Sequence, residues 1–125
     1  MTQSRQELAA QTMQDLYGVT WRVEAREGEP PEAEYLNRQL VMNAFADSWP
    51  RSTLDSKTRE LITIGMIIAA GGAETELRSH VSGALRLGCT KSEVVEVFIH
   101  SAAYLGAVRT SSAWSAARRV IADAK

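Results

Sequence analysis

Glu76 and His80 stand four residues apart in a stretch, 74–87, whose Leu77, Val81, Ala84 and Leu85 recur at helical spacing. On a helix they share a face. A carboxylate one turn ahead of an imidazole orients the ring and favours its protonated, proton-donating form. The same spacing also describes a surface ion pair worth a few tenths of a kcal/mol, and on spacing alone that is the favoured reading. Two features point the other way. The pair runs along the edge of the apolar face, and it follows Gly71-Gly72, a break after which a new helix N-terminus offers unpaired N–H groups to an anion. Glu60 lies beside the apolar run Leu61–Ala70, where a carboxylate has to find a partner. A salt bridge with Arg59, Arg78 or another chain and a role in proton transfer are equally open for it. His100 follows Phe98-Ile99, and its spacing reads as a hydrogen-bonded histidine at the core edge.

Other chemistries find few residues. The single cysteine, Cys89, excludes an intrachain disulfide framework; it follows a helix C-terminus, where the dipole disfavours a thiolate, and reads as structural. Two histidines without a Cys or Asp cluster make a poor metal set, so no metal is expected. There is no P-loop, G-x-G-x-x-G, H-E-x-x-H or G-x-S-x-G.

The elements that must position these residues are all helices. Ser4 and Glu7 have capping-box spacing and open a first helix that ends near Tyr17 at Gly18. The stretch 19–31, with Glu24, Arg26, Glu27 and Pro30-Pro31, reads as a solvated connector, with Pro31 suited to a helix N1 position. The spacing predicts a second helix over 32–46 that buries one face carrying Leu36, Leu40, Val41, Ala44 and Phe45, ending before Pro50 with Trp49 as a packing anchor. Asp55 or Ser56 caps a third helix, apolar nearly all round, that stops at Gly71-Gly72. A fourth spans about 74–87 with Gly88 as its cap. Thr90 and Glu93 open a fifth that ends or bends at Gly106, and a sixth covers about 110–122. No stretch alternates as a strand. The expected fold is all-α, about six helices in a single domain over 1–125, with 1–31 as N-terminal helix and connector and 32–125 as core.

At 125 residues the chain suits one hydrophobic core. A net charge of −1 argues against a nucleic-acid face. No apolar run approaches the roughly 20 residues of a membrane span, and the N-terminus lacks the cationic-then-apolar order of a secretory signal. The expectation is a soluble, cytoplasmic protein.

Phe45–Trp49 (FADSW), Leu54–Met66 (LDSKTRELITIGM), Glu76–Gly106 and the Ala-rich final helix together resemble, in order and spacing, the carboxymuconolactone decarboxylase family of the AhpD-like superfamily. The resemblance covers about Val41–Asp123. It implies a small helical bundle assembled as a homo-oligomer, commonly a hexamer built from trimers, with active sites near subunit interfaces. The thiol-peroxidase branch carries C-x-x-C with a His four residues on. Here those positions are Ala73 and Glu76, so thiol chemistry is disfavoured and the pattern is that of the decarboxylase branch. Glu60 matches the proton-relay glutamate of the peroxidase branch. The resemblance implies a cofactor-free reaction in which a carboxylated lactone loses CO2, its electrons move onto the lactone carbonyl, and the protein protonates the product. His80 is the candidate donor, oriented by Glu76, with Glu60 as a second acid/base. His100, Arg59 or Arg78 would bind a substrate carboxylate. A paralogue using the same pocket for another proton-transfer or ring-forming step, or a non-catalytic small-molecule-binding protein, are the alternatives. The chain departs from the pattern after the fifth helix, where Gly106-Ala107-Val108-Arg109-Thr110 stands in place of a G-V-P-A-A segment.

Overall fold

The computed structural model describes residues 2–125, which are all-α and divide into two compact units, the first ending at Thr53 and the second running from Leu54 to Lys125.

In the first unit, α1 spans Arg5–Tyr17. The expected capping box is formed: Ser4 Oγ accepts from the Glu7 N–H, and the Glu7 carboxylate accepts from the Ser4 N–H. Gly18 closes the helix at φ 72°, a conformation a Cβ would resist. Helix α2 spans Glu32–Val41, so Pro31 is its cap residue rather than its first turn. It continues as a π-helical segment over Met42–Ser48, whose wider turn is visible where the Trp49 N–H reaches Ala44 O, five residues back, at 2.9 Å. Ala9, Met13, Leu16, Val41, Phe45 and Ala46 are buried. Leu36 and Leu40 are not; they are 57% and 61% exposed, against the expected single buried face. At 3.6 residues per turn, Val41 and Phe45 lie roughly 140–180° round the helix from Leu36, so the sequence carries two apolar stripes, and only the second is buried. Arg5 grips Asp47 through both Nε and Nη2, tying α1 to the π segment and holding the Asp47 carboxyl below its ordinary range.

In the second unit, Asp55 caps α3 (Ser56–Ala70), its carboxylate accepting from the Thr58 N–H at 2.8 Å. Helix α4 covers Glu74–Arg86, α5 Lys91–Leu105 and α6 Ala107–Asp123. The Thr90–Glu93 capping box opens α5 as its spacing predicts. Ile64, Ile68, Leu77, Val81, Ala84, Val94, Phe98, Ala117 and Ile121 form one core. Helix α3 is apolar on more sides than the unit buries: Ile62 and Met66, one turn apart, are 44% and 60% exposed. No helix among the described residues is long and apolar enough to cross a membrane.

The largest difference from the expected elements is α6, which begins at Ala107 rather than near Thr110. Gly106 alone, at φ 86°, makes the corner between α5 and α6, so Ala107–Arg109 are free to be helical. This places Arg109 in the first turn, where Nη1 donates to Ala69 O (3.1 Å) and Ala70 O (2.9 Å) and so closes the C-terminus of α3. Gly71, at φ 73° and ψ 159°, lies against that guanidinium, and a Cβ there would run into Nη1. Gly71→Ala should therefore lower stability by about 1–3 kcal/mol, the usual range for a non-glycine residue in that backbone region, read as a shifted denaturant midpoint at unchanged slope. Gly72→Ala meets no neighbour and should be penalised only for its positive φ.

Candidate active site

The site is built on the α3–α4 hairpin. Glu60 sits one turn into α3 on the same stripe as Ile64 and Ile68, so the periodicity that buries the isoleucines buries the carboxyl too, to 0% exposure. Helix α4 returns antiparallel after the Gly71-Gly72 turn. Its Leu77, Val81 and Ala84 pack inward, which turns His80 toward α3 at the edge of that face. The result is a contact between residues far apart in sequence: His80 Nδ1 to Glu60 Oε1, 2.7 Å. The imidazole is 13% exposed. Its Nδ1 is held by the carboxyl, which fixes the orientation of the ring.

Two opposing effects act on Glu60. Burial pushes its carboxyl above the ordinary value of 4.5, and the hydrogen bond and charge of His80 pull it back; burial is the larger. Its second oxygen, Oε2, is buried with no hydrogen-bond partner among the described residues. The contact sets a buried carboxyl and an imidazole at hydrogen-bond distance, an arrangement suited to acid/base chemistry.

The other candidate residues lie as follows. Glu76 is on the exposed first turn of α4, so the carboxylate at the His80 Nδ1 position is Glu60. Arg78 pairs with Glu74 at 4.0 Å rather than with Glu60. Arg59 Nε donates to Leu54 O at 3.2 Å. His100 is exposed instead of at the core edge, its ring tilted against Tyr104 at 5.1 Å between centroids. Cys89 is buried, with its sulfur 3.9 Å from Lys57 O, and burial pushes the thiol up. Among the described residues no group of three or more His, Cys, Asp or Glu side chains could hold a metal ion. The Glu60–His80 contact had one sign in the sequence: a carboxylate on a buried stripe demands a partner, and His80 stands at the edge of the facing one.

The model of the carboxymuconolactone decarboxylase family matches residues 34–119, a span that contains both members of the pair. The chain belongs to this family. Over 80 residues it is 35% identical to the 4-carboxymuconolactone decarboxylase of Acinetobacter baylyi, covering 64% of this chain and 59% of the relative. It is 36% identical over 80 residues to the nitrosuccinic acid decarboxylase of Metarhizium robertsii, covering 64% and 55%. An uncharacterized 15.0 kDa protein of Paracoccus denitrificans is 38% identical over 80 residues, covering 63% and 60%. The matched part of this family member thus spans between about half and two-thirds of each relative's length.

The elevated Glu60 carboxyl has a consequence for stability. A group whose pKa is raised on folding favours the folded state below its ordinary value of 4.5, and that contribution is lost as pH rises through the raised value. Gln at this position carries no such dependence. Glu60→Gln should therefore gain stability relative to the native chain as pH rises from about 4 to about 7, seen in thermal melts across that window.

Proposed function

We propose that this family member is a cofactor-free carboxy-lyase acting on a small dicarboxylic acid that carries its own electron sink. The observation that carries this reading is the buried Glu60–His80 pair inside the family match. The acids named for the two decarboxylases, 4-carboxymuconolactone and nitrosuccinic acid, are both dicarboxylic and both bear a group able to accept electrons, a lactone carbonyl or a nitro group. In the lactone case the bond between ring carbon and carboxylate breaks, CO2 leaves, and the electron pair moves through the alkene onto the lactone's carbonyl oxygen. His80 then transfers a proton from Nε2 to carbon, and solvent restores it.

Glu60 is the positioning residue: it holds Nδ1, fixes the ring and balances the charge that appears when His80 is protonated. Glu76, one turn from His80 on the same helix, and Arg59, next to Glu60, complete the proposed set and supply polarity toward the substrate. The exposed Ile62 and Met66 of α3 are proposed to be covered by a second copy of the chain in a trimer or hexamer, which light scattering would register and Met66→Glu would disrupt.

Loss of 4-carboxymuconolactone and of nitrosuccinic acid, followed by chromatography with CO2 detection, tests the assignment. The native chain should turn over one of them. His80→Gln should lower kcat by about 10²–10⁴, the usual worth of a general acid. Glu60→Gln should lower kcat with little change in KM and alter the pH profile, because it moves the proton balance of the pair rather than the binding contacts. Turnover of neither acid would refute this substrate class, and full activity in His80→Gln would refute the mechanism.

A further inference from the structure

The first unit holds a concave space of about 360 Å3 that the chemistry above does not use. Its floor is apolar: Ala9, Ala10 and Met13 of α1, with Val41 and Met42 where α2 passes into its π segment. The facing wall is the segment Thr20–Glu24, which crosses over the helices. That wall is anchored at several points. Trp21 stacks on Tyr17 (5.9 Å, 12°) and meets Phe45 edge-on (5.5 Å, 84°), and Asn37 Nδ2 donates to Val23 O at 3.2 Å. Trp21 nevertheless remains 44% exposed, so much of its indole surface is left for something else to cover.

Two arginines belong to the lining, and neither guanidinium is fully used. Arg38 gives Nε and Nη2 to Glu34 Oε1 (3.1 and 2.8 Å), while its Nη1 has no partner among the described residues. Arg22 meets Glu24 at 3.5 Å at the nearest, Nε to Oε2, too long for a firm hydrogen bond. The floor side chains, all Ala, Val or Met, can neither donate nor accept a conventional hydrogen bond. The volume lies within the range of small-ligand sites, and a π turn at the lip of such a space is a recurrent feature of functional sites.

We propose that this cavity binds a small carboxylic acid with a flat apolar body. The ring lies on the Met13–Val41–Met42 floor beside Trp21, and the carboxylate takes the unused guanidinium N–H groups of Arg38 and Arg22. Charge selects the class. An uncharged ring would leave those donors unmatched, and a cation would find only the carboxylates of Glu24 and Glu34, each already facing an arginine. The site is formed entirely within the first unit and stands whether or not the decarboxylase reading holds.

Benzoate is the probe, titrated into the full chain and followed by calorimetry and by the Trp21 indole N–H resonance, with benzyl alcohol (ring without charge) and acetate (charge without ring) as comparators. Benzoate should saturate with Kd in about the millimolar range, as expected for a ligand of this size. Both comparators should bind at least about tenfold more weakly. Arg38→Gln, at a partly exposed position that should fold normally, should weaken benzoate about tenfold. Ala10→Phe, which fills the floor, should abolish binding. His80→Gln should leave it unchanged. Absence of saturable binding, equal affinity for benzyl alcohol, full affinity in either Arg38→Gln or Ala10→Phe, or loss of binding in His80→Gln would each overturn the assignment.

Discussion

A carboxyl with no solvent exposure, on a helix otherwise committed to apolar packing, is the constraint around which the second unit is arranged. Water solvates an ionised carboxylate far better than any protein core, so Glu60 has to be met by a hydrogen-bonding partner or stay neutral. The α3–α4 hairpin supplies that partner: its antiparallel return brings an imidazole across at 2.7 Å. The match is incomplete, because Oε2 remains without a partner among the described residues. A pair of this kind is a poor device for stability, since well-packed apolar residues of similar volume are as stable or more so. The proposed acid/base chemistry supplies a reason for keeping such a pair that stability does not.

The register of that contact depends on events about three turns away along α3. The Gly71-Gly72 turn sets where α4 begins, and the turn is held from outside by Arg109, which takes the last carbonyls of α3 from the first turn of α6. Three helices therefore determine one distance. At Gly65 an added Cβ would meet Val97 of α5 at 3.8 Å, an ordinary packing distance, and the Phe98–Trp114 edge contact joins α5 to α6. The departure from the family pattern at Arg109 is thus structural in its visible effect. A cation performs a capping task at a helix end, where the carbonyl pole of the helix dipole favours it.

Much of this was legible in the chain because local rules govern it. The capping boxes at Ser4–Glu7 and Thr90–Glu93 and the Asp55 cap follow from which side chain can satisfy a nearby backbone group, and the stops at Gly18 and Gly71 from the positive φ that only a residue without a Cβ takes cheaply. What escaped was decided by geometry beyond a few residues. The two stripes of α2 merge when apolar positions are counted without their angles, and nothing in MNAFADS announces a π turn. Residue spacing puts the start of α6 near Thr110, three residues late, because Gly106 makes its corner in a single residue. The pairing of His80 with Glu60 was hidden because the helical spacing rule sees only neighbours, and so it favoured Glu76, four residues away, over a carboxylate on the facing helix.

The same residues narrow the chemistry. In the thiol branch of the superfamily, sulfur at two positions of the α4 entry carries the reaction. Here Ala73 precedes that helix without a capping side chain and Glu76 stands on its exposed first turn. The sole cysteine lies at the other end of α4, buried, with its thiol pushed up by that burial and by the nearby Glu93. A site that has lost its nucleophiles but keeps a buried imidazole–carboxyl pair can still deliver or accept a proton with the ring held in one orientation. Decarboxylation into a substrate-borne electron sink asks little more of a protein: the leaving electrons are stabilised by the substrate, and the enzyme supplies a proton at the right face. Burial pushes the Glu60 carboxyl up, so the proposed chemistry would draw on a carboxyl that holds its proton more readily than one in water.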